Sequence, residues 1–517
     1  MSFTSRPILM SDAGMVVSGH HLASEAGAAV LRAGGNAFDA AIAAATTLAV
    51  AIPNMNGVGG DAIALCYVRE DDSVYAINGS GRSPQAATLD AFAARGLTQI
   101  PQTGPLAMTV CGAPHAWHTV LERFGTTTLS DALAPAIALA EAGVPTDTVL
   151  QTFFAGETYR ELAAKFPQLA EVYGPPGHRA LGERFHQPQL GRTLRKMSEQ
   201  GVESLYGGEI GDALIADLDA AGSLLTLEDL AAHETLISET LSVPFLGRRL
   251  HVAPPNSQGI ALAFLAALWQ ADGAQALAPD LYLRLKHLAF GERDRAATDP
   301  DRSGVAPGPL DGVEFASILA SKGDRNTEAR AGGGDTSTLV VVDRWGNAVS
   351  WVQSLFEDFG SGVISPSTGI VMHNRLYLEE LSDHPTRGLR PGTRPFHTLC
   401  PALVIGEDGC DVAIATPGDH GQPQSIFQVL LNLFKAGMNI QQAIEAPRIR
   451  HDTGDDVMLE ARAPGHWREE IERSGFAVRD VGDWSRLMGG VNAIVTGPDG
   501  VLMGGADPRR ACHAVSG

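Results

Sequence analysis

Hydrophobic and polar positions change their rhythm along this chain. Residues 15–17 form an apolar run that predicts a strand. Helical spacing follows over 22–33 and stops at Gly34-Gly35; Asn36 then caps an Ala-rich helix from Phe38 to about Val50. That helix is apolar almost all round, which places it inside a domain. Residues 62–68 and 73–78 read as strands. From 113 to 299 helical spacing dominates, with amphipathic stretches at 114–124, 129–142, 188–200, 209–221 and 279–297. Gly-rich turns separate them, Pro254-Pro255-Asn256-Ser257-Gln258-Gly259 most clearly. After 336 the rhythm shifts to short apolar runs bounded by turns. Strands are predicted at 339–342, 348–353, 369–373, 401–405 and 412–415, helices at 424–436 and 440–446, and strands again at 491–496 and 500–503. Blocks of helix beside blocks of strand point to stacked layers, an α+β fold of αββα type or similar.

Between the two regimes lies a polar segment, 300–334, rich in Gly, Asp and Arg, of the kind where proteolytic processing is easiest. It ends in Gly332-Gly333-Gly334-Asp335-Thr336-Ser337-Thr338, just before the apolar run Leu339 to Val342. Thr336 either simply starts that strand, as β-branched residues often do, or the chain cuts itself between Asp335 and Thr336. The second reading has a chemical logic. A Thr hydroxyl is a poor nucleophile without a base. A freed α-amine, with a pKa near ~7.7–8.0, is a base matched to neutral pH. Cleavage before Thr336 puts nucleophile and base on one residue. The triple glycine gives the backbone freedom to strain at the cut.

Composition narrows the field. With 38 basic against 59 acidic residues the net charge is −21, which argues against nucleic acid or an anionic membrane as the main partner. The start of the chain has no apolar core of signal-peptide length, and no run approaches the ~18 apolar residues of a membrane span. Cys66, Cys111, Cys400, Cys410 and Cys512 are scattered without CxxC spacing, so a reduced, cytoplasmic protein without disulfides is expected. No metal or cofactor site is expected either. His20-His21 has no third ligand at metal spacing. Gly57-Val58-Gly59-Gly60-Asp61 lacks the Lys and Ser/Thr of a phosphate loop and precedes a strand. Asp294 and Arg295 read as a helix-face ion pair, and Trp345 as an aromatic capping the turn 343–347.

The chain resembles the gamma-glutamyltransferase family over nearly its whole length. Leu31-Arg32-Ala33-Gly34-Gly35-Asn36-Ala37-Phe38-Asp39-Ala40-Ala41, followed by Gly57 to Asp61, resembles the opening signature. Leu224-Leu225-Thr226-Leu227-Glu228-Asp229-Leu230 and Asp294-Arg295 resemble the large-subunit pattern. Asp335-Thr336-Ser337-Thr338, Asp343-Arg344-Trp345-Gly346-Asn347-Ala348-Val349 and Phe359-Gly360-Ser361-Gly362 resemble the small-subunit start; Glu445-Ala446-Pro447-Arg448 and Asp507-Pro508-Arg509-Arg510 resemble its end. The resemblance implies an N-terminal-nucleophile hydrolase with an αββα four-layer sandwich. Its precursor would be cut before Thr336 into chains 1–335 and 336–517 that stay packed as one unit, with a dimer of such units expected. It also implies that Ser354 orients Thr336, and that backbone N–H groups at Gly418 and Asp419 form the oxyanion hole, where the family carries a second Gly.

Several positions depart from the glutamyl-binding pattern that the resemblance implies. The carboxylate-binding Arg falls on Ser80 or Gly81, with Arg82 two residues away. The Asn after the orienting hydroxyl is Phe356; the Gln and Asp of the pocket are Arg375 and Leu378; the paired serines are His397 and Thr398. Leu378 cannot pair with a substrate ammonium, whereas Arg375 suits a carboxylate held bidentately. The other readings are a structural ion pair for Arg375 and a satisfied core histidine for His397. These changes imply a small amide carrying a carboxylate, as in the branch containing oxamate amidohydrolase. A true γ-glutamyl hydrolase or transferase, and an inactive member with a binding role, are the rival expectations.

Overall fold

Residues 4–177, 179–321 and 336–517 are described here, from a computed structural model. Gly332 to Asp335 lie outside the described residues.

Two large sheets face each other and helices cover both outer faces. The first sheet runs His513–Ser516, Gly14–Ser18, Ser337–Asp343, Ala348–Ser354, Asp61–Val68, Ser73–Gly79, Leu236–Glu239. The second runs Leu9–Ser11, Leu502–Ala506, Asn492–Thr496, Gly409–Ala415, Ala402–Gly406, Arg248–Val252, Leu241–Phe245, Gly308–Pro309. Side chains alternate between the two faces of a strand, and that alternation builds the layers. Leu339 and Val341 point to the first helical core, while Val340 and Val342 point between the sheets. In the second sheet Ala402 and Val404 meet the other helical core, and Leu403 meets Val340's side. The continuous apolar run after Thr336 is therefore a central strand buried on both faces.

The helix Ala37–Ala51 is buried along its whole length, with a capping box between Asn36 and Asp39. It lies under the strands that carry Thr336 and Ser354. Three predicted features differ. The region 113–299, read as mainly helical, also contains the strands Leu236–Glu239, Leu241–Phe245 and Arg248–Val252. Residues 369–373 form no regular strand; they contribute the isolated bridge pairs Gly59–Met372 and Ile364–Val371 and bond otherwise to loop neighbours. Asp294 pairs with Arg293 at 2.6 Å, and Arg295 with Glu292, not with one another. The five cysteines are buried and unpaired. Among the described residues no helix is long and apolar enough to cross a membrane, and no cluster of metal-ligating side chains occurs.

Candidate active site

Strand pairing brings the two hydroxyls together. Ser337 lies opposite Gln353, so Thr336 meets Ser354 at the strand end, and their Oγ atoms are 3.1 Å apart. Ser354 Oγ also accepts from Phe356 N–H at 2.7 Å. Thr336 is 3% exposed. The glycine loop permits this approach: a Cβ at Gly60 would stand 2.6 Å from the Ser354 carbonyl oxygen. Its close contact is thus to backbone.

Beneath the hydroxyls lies a neutral buried network. Trp117 and Trp351 indole N–H groups donate to Gln353 Oε1 (2.9 and 3.1 Å), Gln353 Nε2 donates to Asn56 Oδ1 (2.6 Å), and Asn56 Nδ2 donates to Ser337 Oγ (2.6 Å). Asn492 Nδ2 donates to Thr338 Oγ1 at 2.7 Å from the facing sheet.

On another side stands a charged cluster around Asp61. Its carboxylate meets His397 Nε2 at 2.9 Å, His373 Nδ1 at 3.2 Å and Arg375 Nε at 3.5 Å, and accepts from Gly81 N–H at 3.0 Å. Burial opposes ionisation of Asp61, yet the charges and hydrogen bonds of His373 and His397 hold its pKa well below the usual range. Burial, with Arg375 adding to it, lowers His397 to about 4. The neutral ring donates to Asp61, and its Nδ1 lies 3.4 Å from Leu399 N–H. Arg375 is fully buried and its pKa falls to about 10, chiefly through burial, so it stays charged at neutral pH. Its Nη1 donates to Thr398 Oγ1 at 3.0 Å and its guanidinium stacks 4.2 Å over the Phe356 ring. Arg375 Nη2 has no hydrogen-bond partner among the described residues.

The loop after the strand Gly409–Ala415 carries Gly418 at φ 122° and Asp419 at φ 53°, both left-handed. Phe356 is likewise left-handed at φ 78°. At the non-glycine residues Asp419 and Phe356 this conformation costs about 1–3 kcal/mol each, and such residues cluster where function holds them. Gln258 Nε2 donates to the carbonyls of Thr398 (2.5 Å) and Asp419 (2.8 Å), which ties this loop to the Arg375 side. Burial raises the Asp419 carboxyl to about 7, against the pull of Arg450 and Arg375, and neither of its oxygens has a hydrogen-bond partner among the described residues.

Among the sequence-predicted residues, Thr336 and Ser354 meet directly, and Phe356, Arg375, His397 and Thr398 form one contiguous group through Arg375 and Asp61. Arg82 goes elsewhere: it donates to Gly392 O at 3.1 Å and faces Glu234 and Asp299 at 3.6 and 3.8 Å. Leu378 ends the turn Arg375–Leu378 and is buried. Asp61, His373 and Gln258 had not been singled out as site residues. Asp61 closes a quoted motif, and a carboxylate directly after four loop residues of which three are Gly was the available signal.

A doubly layered sandwich with a Thr at the head of a central strand defines the N-terminal-nucleophile hydrolase class. The gamma-glutamyltranspeptidase family model matches residues 23–517, and the chain belongs to that family of enzymes. It is 36% identical to the glutathione hydrolase-like YwrD proenzyme of Bacillus subtilis, over 96% of this chain and 97% of that one. It is 35% identical to the oxamate amidohydrolase proenzyme of Klebsiella pneumoniae, over 97% and 98%. Among solved structures, the cephalosporin acylase from Bacillus halodurans superposes with TM-score 0.90 at 32% identity, covering 100% of this chain and 98% of the other.

Proposed function

We propose that the chain cuts itself before Thr336 and that the resulting enzyme, chains 1–335 and 336–517 packed together, hydrolyses amides whose acyl half is small and carries a carboxylate. The observation that carries this reading is Arg375: a buried, charged guanidinium beside the nucleophile's strand pair, with Nη2 lacking a hydrogen-bond partner among the described residues and Phe356 as its platform. A buried unpaired donor is costly unless a ligand completes it.

In the cut, Thr336 Oγ attacks the Asp335 carbonyl, the peptide bond breaks, and the Thr336 nitrogen leaves as an amine. Water then hydrolyses the ester. In turnover, the α-amine takes the proton from Thr336 Oγ as it attacks the substrate carbonyl. N–H groups at Gly418 and Asp419 hold the oxyanion. The proton passes to the departing amine, and water releases the acyl group by the reverse transfer. Ser354 holds the Thr336 hydroxyl in line. His397 is a positioning residue that acts through Asp61, and Thr398 steadies Arg375. A dimer of the two-chain unit accompanies this reading. Oxamate, the substrate named for one relative, is the simplest candidate.

Denaturing electrophoresis with N-terminal sequencing tests the first half. Wild type gives two bands, the smaller starting at Thr336, and Thr336→Ala stays whole and loses about 10³-fold or more of its turnover. Ammonia release from oxamate against anilide release from a γ-glutamyl anilide tests the second. Faster turnover of the glutamyl substrate would transfer the site to the γ-glutamyl reading.

A further inference from the structure

The loop that carries Gly418 and Asp419 closes on Gly421, whose N–H donates to the Gly418 carbonyl at 2.8 Å. Gly421 sits at φ −75°, a right-handed conformation that any residue adopts. Its missing side chain therefore answers a different demand. A Cβ there would stand 3.0 Å from Arg450 Nε and 3.1 Å from both Cδ and Cζ of the same side chain. Near-equal distances to three consecutive atoms place that Cβ over the flat face of the guanidinium end. Gly418 lies against the same group, since a Cβ there would be 3.7 Å from Arg450 Nη1.

Arg450 is held firmly in this place. Its Nε and Nη2 donate to the two oxygens of Asp452 at 2.8 Å each, and its Nη1 donates to the Leu487 carbonyl at 2.6 Å. Each of its three nitrogens thus has a partner outside the loop, and the flat group bears on the loop by packing. Burial opposes ionisation of Asp452, and Arg450 overrides it. The segment after Leu487 is tied to the loop as well: Gly490 N–H donates to Thr416 Oγ1 at 3.0 Å. Elsewhere on the loop, Gln258 holds the Asp419 carbonyl and Arg293 Nη1 meets His420 Nδ1 at 3.1 Å.

We propose that Arg450 is a positioning residue for the reaction: its guanidinium, fixed by Asp452 and Leu487, is the plate that sets the peptide planes of Gly418 and Asp419 and so aims their N–H groups at the oxyanion. The inference rests on the reading in which Thr336 is the nucleophile and those N–H groups stabilise the charge that develops. That charge exists only as the reaction proceeds, so a displaced plate lowers kcat and leaves KM in place. Arginine suits the role because its planar fork takes both Asp452 oxygens at once, which a lysine ammonium does not.

The test uses the self-cut protein, with oxamate and a γ-glutamyl anilide as donors and rates normalised to the cut chain. Gly421→Ala leaves the Arg450–Asp452 pair whole and sets a methyl against the plate, so the loop must give by a few tenths of an ångström. Since a 1 Å misplacement costs about 10²-fold, kcat is expected to fall about tenfold with KM within about twofold. Gly421→Val should lose more. Arg450→Lys should also lose about tenfold in kcat. Adding Gly421→Ala to Arg450→Lys should cost little further, because the methyl no longer meets a plate, whereas two independent defects would multiply. Should Arg450→Lys not fold, the Ala and Val variants at Gly421 decide alone. Unchanged kcat in both of these, or losses that multiply in the double variant, overturn the positioning role while leaving Thr336 as nucleophile. A correctly cut wild type that turns over neither donor overturns both readings.

Discussion

Two buried polar groups flank Thr336, and they are built on opposite principles. Beneath it, Gln353, Asn56, Trp117, Trp351 and Ser337 are neutral and hydrogen-bonded to one another. Beside it, Asp61, Arg375 and Asp419 are ionisable and equally buried, yet Arg375 Nη2 and both Asp419 carboxyl oxygens lack hydrogen-bond partners among the described residues. A satisfied network rigidifies a fold; an unsatisfied one destabilises it unless a ligand completes it. On the proposed function the first group is scaffold for Thr336, and the second is a receptor. On this comparison, variants of the first group should lose stability and variants of the second should lose substrate.

Gln353→Leu breaks the comparison most sharply. It leaves two indole N–H groups buried without their acceptor, each costing about 1–3 kcal/mol, and takes from Asn56 Oδ1 one of its two donors, the Gly57 N–H remaining at 2.7 Å. Loss of about 3 kcal/mol or more in denaturant unfolding is expected. A stable Gln353→Leu protein with weakened substrate binding would reverse the roles. Arg375→Met should do the opposite. It leaves an apolar side chain against Phe356 but removes the guanidinium, so kcat/KM for a carboxylate-bearing amide falls about 10- to 100-fold. The same amide with its carboxylate esterified should change little. A uniform loss on both substrates would make Arg375 a support for Asp61 only.

The Thr336 side was legible in the sequence because it is local. A continuous apolar run marks a strand buried on both faces, and pairing register alone places Thr336 opposite Ser354. The Asp61 cluster was less so, because His373, Arg375 and His397 reach it from more than 300 residues away in the chain. The hairpin between the strands Leu241–Phe245 and Arg248–Val252 escaped for a different reason. Its turn is Leu246-Gly247, with Leu246 held at φ 51°, where a sequence signal would be Asn or Asp. Residues 369–373 look like a strand by composition, yet their backbone bonds go to Gly59 and to loop neighbours, which no periodicity announces. The ion-pair partners of Asp294 and Arg295 followed from neighbours on the same helix that spacing leaves equally available.

Asp419 sharpens the comparison by the smallest effect. Its carboxyl faces Arg450, Asp452, Arg375, Glu357 and His420, and burial outweighs the cations, raising it to about 7. An unfolded Asp titrates near ~3.9. Between those values the folded chain holds a proton that the unfolded chain has lost, so this group's contribution to stability is complete below about pH 4 and disappears as pH rises through 7. Asp419→Asn removes that slope. Its melting temperature relative to wild type should climb from pH 5 to pH 8, measured by ~1-unit steps at constant salt. A carboxylate bound at Arg375 adds negative charge nearby and pushes the proton further onto Asp419, so saturating oxamate should move the climb to higher pH. A flat difference across that range would mean that Asp419 is ionised throughout. That side would then carry, besides ionised Asp61, a second standing negative charge, which counts against the proposed carboxylate site at Arg375.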